Sequence, residues 1–413
     1  MFSRQNSVPL DFCLACGSDN LKLTLDLKTQ PLANSYKKSK YEAQEVFPLA
    51  INRCTDCYHV QLTHAVNPDL MFKDYLYVSG TSQTMRDHFA WFAKWATEYT
   101  YWGAAESATT VLDIGCNDGS QLDQFKKLGL STTGIDPALN LYPISSKNHT
   151  VFPQFFDYDF ITKNPGTFDI LVAQNVFAHN YSPKTFLTTA RNVMHPNSFL
   201  FVQTSQADMI LNNEFDTIYH EHISFYNINS MNELCKRSGM YLIDAIKCPL
   251  HGNSYIFVIS INKDFMRPFH IKNLIEMERK AGLLTEQTYI DYAAKCNAVV
   301  TDLKAIVEGY TRNDMGWNAV GYGAAAKGMT LLNYSGIKLD CIIDDNPLKQ
   351  GLFTPGSSIP ICGPEKLAEY EGDTMFIPLA WNFFDEIKSK IVSKRNGQND
   401  MFITYFPKVE IRR

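Results

Sequence analysis

A chain of 413 residues, 45% hydrophobic and 13% aromatic, has room for two or three domains with real cores. Its formal net charge of −5, with no Lys/Arg-dense block, excludes the electrostatic footprint of a nucleic-acid binder. No apolar run reaches transmembrane length and the segment Met1 to Leu10 has no hydrophobic signal core, so no membrane partner and a cytoplasmic location are expected.

Ten cysteines are present, and four of them form two pairs, Cys13-x-x-Cys16 and Cys54-x-x-Cys57. Two such knuckles offer four thiolates, the set a tetrahedral structural zinc takes, and four cysteines leave no open position for catalysis. The 37 residues between Cys16 and Cys54 exceed common ribbon spacing, although loop length costs little closure entropy. A redox Cys-x-x-Cys is the competing reading for either pair alone. Residues 1–66 are read as a zinc-binding domain.

From Asn67 to about Trp102 the pattern turns helical. Tyr75 and Tyr77 sit in a turn of small residues and tyrosines, after which Ser82 can cap a helix running through Met85, Phe89 and Phe92. Then comes an apolar strand that carries Asp113 and ends in a Gly115-x-x-x-Gly119 turn, before an amphipathic helix. Glycine at 115 and 119 lets backbone approach a ligand, and the helix start offers free N–H groups. Asp113 and Asn117 belong to this cofactor loop. Asp136 ends a second strand about 20 residues past the loop, where such folds bind ribose hydroxyls. A third strand, Phe168 to Asn175, completes the open α/β pattern and places Asn175 at its end.

His179 follows that third strand on the side where ligands sit in open sheets. Downstream, Tyr219-His220-Glu221-His222 gathers a phenol, two imidazoles and a carboxylate. In extended chain Tyr219 and Glu221 share one side and His220 and His222 the other. A His–Glu couple suits proton abstraction, because a carboxylate can orient an imidazole and raise its basicity. Metal ligation and a solvated polar loop are the alternatives.

Beyond residue 262, Tyr289, Tyr292, Cys296, Val299, Leu303 and Val307 recur at helical spacing and form one apolar stripe, read as a bridge between domains. A second strand–glycine–helix unit follows, with Gly321, Gly323 and Ala326 standing in for the dinucleotide glycines, so a phosphate group is expected there. Tyr322, Ala324 and Lys327 belong to that loop, and Asp344 ends a later strand. A ligand-free Rossmann-like lid is the plainer alternative.

The first loop resembles the Asp/Glu-x-Gly-x-x-x-Gly loop of class I S-adenosylmethionine (SAM) methyltransferases. The whole order resembles the three-domain C-methyltransferases that add a branch methyl at C3 of nucleotide-linked 4-keto-deoxysugars. Matches are densest at the four paired cysteines, Tyr75 to Arg86, Phe215 to Tyr226, Gly321 to Lys327, Asp344 to Pro360 and Trp381-Asn382. The resemblance implies an α/β fold: a zinc-binding domain (1–66), a Rossmann-like methyltransferase domain (67–262, with a helical lead-in over 67–104) and, after the bridging helix, a Rossmann-like sugar-nucleotide domain (263–413). It implies SAM as cofactor, structural zinc, and a nucleotide-linked keto-sugar as partner. It places acid/base roles on Tyr75 or Tyr77, His179, Tyr219, Glu221 and His222. A monomer or small homo-oligomer is expected. The chain departs from the family pattern at His251-Gly252-Asn253-Ser254, where the family tends to have His-Gly-Gly-Ser, and at Gln203-Thr204-Ser205, which lacks the usual Glu-x-Pro. The sugar, its nucleotide and the methylated carbon are therefore left open. A zinc-ribbon RNA methyltransferase would want a basic face that this chain lacks.

Overall fold

The computed structural model describes residues 5–73, 78–104, 107–164, 166–205, 208–250, 253–312, 315–395 and 399–412. Seven strands form the central sheet, in the order Tyr241–Cys248, Ser254–Ser260, Met194–Ser205, Phe168–Gln174, Thr110–Ile114, Ser131–Ile135 and Thr150–Phe152. Ser254–Ser260 runs antiparallel to both of its neighbours, and the other pairings are parallel. Ile170, Leu171, Val172 and Ala173 are all fully buried, as a strand covered on both faces requires. Thr110–Ile114 and Phe168–Gln174 are parallel neighbours, and the order in which successive strands are added reverses between them; ligands of such sheets bind in the crevice beyond those strand ends.

A second, six-stranded sheet runs Ile361–Cys362, Cys341–Ile343, Asn318–Tyr322, Thr374–Pro378, Asp400–Thr404 and Glu410–Arg412. Its first loop repeats the hydrogen bonding of the central sheet. Gly115 N–H donates to Ile135 O and Gly323 N–H to Ile343 O, both at 2.7 Å. Asp136 Oδ2 accepts from Asn117 N–H at 2.9 Å, and Asp344 Oδ2 from Ala324 N–H at 2.6 Å. The α/β expectation holds in both sheets.

The cysteine pairs belong to a four-stranded antiparallel sheet of Leu21–Gln30, Phe47–Cys54, Val60–Leu62 and, unexpectedly, Ser224–Phe225. A two-residue strand from the middle of the chain thus completes the N-terminal sheet immediately after the Tyr219–His222 segment. The helix Glu286–Thr311 buries Tyr289, Tyr292, Cys296, Val299, Leu303 and Val307. These join one core with Leu25 and Leu27 of the N-terminal sheet and with Phe215, Met329 and Ile377. Met85 N–H donates to Ser82 Oγ at 3.1 Å, and the helix Gln83–Ala104 sets Phe92 against Phe125 and Phe201. Among the described residues, no helix is long and apolar enough to cross a membrane.

Candidate functional site

The four paired cysteines converge, their sulfurs all lying within 4.8 Å of one another. Cys13 and Cys57 are 3.6 Å apart, as are Cys16 and Cys54. A tetrahedral site with Zn–S bonds of about 2.3 Å has edges of about 3.8 Å, so the sulfurs fit zinc. Each knuckle turns through a left-handed residue, Gly17 (φ 83°) in one and Tyr58 (φ 60°) in the other. Their backs pack on Met231, Leu234 and Cys235 of the central domain.

At the first glycine loop, Gly115 has φ 79°, and an added Cβ would lie 2.2 Å from Val176 Cγ2. Gly119 has φ 85° and precedes the helix Ser120–Lys127. Asn117 and Asn175 also take left-handed backbone. The lead-in clamps the loop, since Ser79 N–H donates to Asn117 Oδ1 at 2.9 Å and Gly80 N–H to Asp118 Oδ2 at 3.0 Å. Lys73 O accepts from Leu139 N–H beside the second loop. Tyr75 and Tyr77 lie outside the described residues. His251 and Gly252 lie outside them as well. Asn253 stands where the family tends to have glycine; its φ of 73° is left-handed, and its amide donates to Asp208 at 2.8 Å.

Asp136 faces the crevice half-buried, its oxygens also accepting from Ala138 N–H at 2.8 Å. Buried polar atoms without a protein partner gather at the strand ends nearby: Gln174 Nε2, Asn175 Oδ1 and Gln203 Nε2. Groups of this kind call for a ligand or water, which suits a polar cofactor. Gln203, whose Oε1 takes a hydrogen bond from His88, is a site residue the sequence marked only as a departure.

Asp113 is 3% exposed, and burial pushes its carboxyl up to about 8, helped by the charges of Asp136 and Asp118. The folded protein then keeps at this carboxyl a proton that the unfolded chain releases near pH 4, so the contribution of Asp113 to stability falls as pH rises from about 4 to about 8. Without cofactor, Asp113→Asn is expected to melt above wild type by a margin that widens through this window. A margin that does not change with pH contradicts this.

The Tyr219–His222 stretch is a turn rather than extended chain, closed by His222 N–H donating to Tyr219 O at 2.9 Å. The turn brings together two side chains that strand alternation separates. Tyr219 OH lies 2.8 Å from His222 Nε2, and His222 Nδ1 lies 2.9 Å from Thr217 O. A carbonyl only accepts, so Nδ1 carries the hydrogen and Nε2 receives the phenol's O–H. The group that orients the His222 ring is thus the Thr217 carbonyl, the place expected for Glu221. Glu221 Oε1 instead accepts from Asn34 Nδ2 at 2.5 Å. His220 leaves the cluster, its Nε2 3.4 Å from Phe47 O.

His179 stacks between Phe72 and His222, with ring centres 5.4 Å and 5.3 Å away. Ile223 N–H donates to Ala178 O, tying the turn to the end of the third strand. Burial holds His179 down at about 4, so it is neutral near pH 7.

In the C-terminal sheet, Gly323 (φ 87°) makes the turn, while Gly321 and Gly328 have their places through packing, each meeting Leu379. Asp344 takes the Ala324 N–H, one of the donors a phosphate would use. Tyr322 OH bonds Asp345 at 2.9 Å. Lys327 lies over the Trp381 ring at 4.6 Å, and Trp381 Nε1 donates to the fully buried Asp216 at 2.9 Å. A cleft of about 410 Å³ opens between Ser82–Met85 and Trp381–Phe383, with Asn212, Glu214 and Asn253 on its walls. Burial pushes Glu214 up to about 7.

Comparison with known proteins gives three family matches along the chain: a zinc binding domain over residues 13–72, a methyltransferase domain over 88–245 and a C-methyltransferase C-terminal domain over 249–407. The C-methyltransferase NovU of Streptomyces niveus is 29% identical over 391 residues, covering 92% of this chain and 91% of that protein. A ubiquinone biosynthesis O-methyltransferase of Rhizobium leguminosarum bv. trifolii (strain WSM2304) is 30% identical over 104 residues, 24% of this chain and 41% of its own length. Among solved structures, the plantazolicin methyltransferase BpumL in complex with SAH matches with a TM-score of 0.36 and 14% identity, over 44% of this chain and 86% of that one. The three matched domains and the near-full-length relative agree with the converged cysteines and the glycine-loop sheet, and the chain is a SAM-dependent C-methyltransferase with an N-terminal zinc-binding domain.

Proposed function

We propose that this enzyme methylates the carbon next to the ketone of a nucleotide-linked 4-keto-deoxysugar, at C3, through an enolate. The observation that carries this reading is the Tyr219–His222–Thr217 chain of hydrogen bonds next to the cofactor-loop end of the sheet. A carbon beside a ketone becomes a nucleophile only after losing a proton, so the site must hold a base near that carbon and a donor near the developing oxyanion. His222 Nε2 is the base. The Tyr219 O–H turns from Nε2 to the ketone oxygen, which frees the nitrogen lone pair and places a donor where negative charge grows. The C–H proton passes to Nε2, and the electron pair of that bond forms the enolate. SAM, when bound, would supply an activated methyl that the enolate carbon takes as the sulfur–methyl bond breaks, the electron pair of that bond staying on the sulfur of S-adenosylhomocysteine. His179, which burial holds down at about 4, stacks on the His222 ring and walls the base.

Asp136 and Asn175 with the Gly115–Gly119 loop would hold the cofactor. The nucleotide sugar would lie in the cleft walled by Trp381, over whose ring Lys327 lies. Asp136→Ala leaves ribose hydroxyls without a charged acceptor, a loss of about 1.5–3 kcal/mol, so SAM affinity is expected to drop about tenfold or more by titration calorimetry. Unchanged affinity removes Asp136 from the cofactor site. The substrate reading is tested by incubating the enzyme with SAM and a panel of nucleotide-linked 4-keto-deoxysugars under mass spectrometry. A product gaining one methylene together with matching S-adenosylhomocysteine supports it, and an inert panel removes the sugar assignment.

A further inference from the structure

Between the two cysteine pairs the chain leaves the N-terminal sheet at Gln30 and returns at Phe47, and this excursion reaches across the molecule. Tyr36 OH donates to Ala324 O at 2.5 Å, and Lys349 Nζ donates to the same oxygen at 2.7 Å while lying over the Tyr36 ring. Lys37 and Phe353 exchange backbone hydrogen bonds of 2.9 and 2.8 Å, and Lys37 Nζ donates to Ser358 Oγ. Farther along, Gly356 N–H donates to Gln44 Oε1 at 3.0 Å. The excursion is thus fixed at one end by the zinc-domain sheet and at the other by the C-terminal domain. Asn34 lies between these anchors, and its amide donates to Glu221 Oε1 at 2.5 Å.

Glu221 is 5% exposed, and a carboxylate so far from water is held where its donors are. It occupies the third position of the turn that sets Tyr219 against His222. A turn has little internal stiffness, so the direction of its hydroxyl–imidazole pair depends on what grips its central residues. An asparagine amide grips a carboxylate with a strong, charge-assisted hydrogen bond and neither adds charge nor exchanges a proton. We propose that Asn34 is a positioning residue for the reaction: through Glu221 it fixes the turn that aims the Tyr219–His222 pair at the substrate. This rests on the assignment of that pair as the proton-transferring group. It gives the N-terminal domain a part in the active site, because the segment between the zinc knuckles delivers Asn34 there.

The test is a double-mutant cycle on the full-length, zinc-loaded enzyme with Asn34→Ala, Glu221→Gln and the pair together. Asn34→Leu, of similar size and uncharged, is a second variant that removes the donor without opening space. Zinc content, melting temperature and SAM affinity are expected to stay at wild-type values, while kcat falls about tenfold or more with KM for SAM unchanged. In the Glu221→Gln background the Asn34 change should cost less than about twofold, as residues acting through one another require. Equal losses in both backgrounds, or a change in KM with kcat kept, overturn the inference. A substrate-free arm keeps it separate from the sugar assignment: carbon-13 NMR of protein labelled at the glutamate δ-carbon, with the Glu221 resonance identified by its absence in Glu221→Gln. That resonance should move in Asn34→Leu. If it does not, Asn34 does not act on Glu221, whether or not any keto-sugar is turned over.

Discussion

Replacing Cys54 with serine is expected to empty the metal site and unfold the N-terminal sheet. Cys54 ends the strand Phe47–Cys54, is fully buried, and closes the knuckle by donating its N–H to His59 O at 2.8 Å. Structural zinc contributes about 10–16 kcal/mol of apparent binding energy in small peptides, on the order of a whole domain's stability, so losing one of four thiolates removes most of what holds a module this small. The damage should not stop there. Leu62 N–H donates to Ile223 O, and His59 Nε2 lies 3.2 Å from Ser224 Oγ, so the sheet backs directly on the turn that carries His222. Metal analysis should find one zinc per chain in wild type and almost none in Cys54→Ser, which should also melt lower and lose activity. A variant that keeps zinc or full activity contradicts a structural tetracysteine site.

His222→Asn is expected to cut methyl transfer by about 10²–10⁴-fold, the usual loss of a general base. Asparagine retains an amide that can donate to Thr217 O, so the turn keeps one of its ties while the titrating nitrogen is gone. SAM affinity and zinc content should stay at wild-type values, because His222 is bonded to Tyr219 and Thr217. His179→Asn should lose less, since burial leaves His179 neutral and weakly basic near pH 7. The reverse ranking would move the base to His179.

Much of the scaffold is readable from residue pattern. The strands carrying Asp113, ending at Asp136 and running from Phe168 all form, as do the glycine turns, the Ser82 cap and the apolar stripe of the bridging helix, because each is written in local periodicity and turn chemistry. The cysteine spacing is likewise a local signal, and the four sulfurs do converge. What pattern does not carry is which distant segments touch. Asn34 and Glu221 are 187 residues apart, and no local pattern in either segment marks their meeting. Ser224–Phe225 is two residues long and has no period to detect, yet it joins the zinc-domain sheet. The alternation argument misplaced Tyr219 and His222 because a single i to i+3 hydrogen bond overrides strand geometry. At the second glycine loop, glycines that suggested phosphate binding also serve helix–strand packing against Leu379, and Asp344 holds one of the loop's donors.

The central claim is that the Tyr219–His222 pair makes the enolate before any methyl moves, and solvent exchange at the substrate carbon tests it most directly. Enzyme, keto-sugar and S-adenosylhomocysteine, which has no methyl to give, are incubated in D2O, and deuterium at the carbon next to the ketone is followed by NMR. Wild type should wash deuterium into that position, His222→Asn should do so far more slowly, and Asp136→Ala, impaired in holding cofactor, should retain the exchange. Exchange by His222→Asn at the wild-type rate would contradict the account and take the base away from His222.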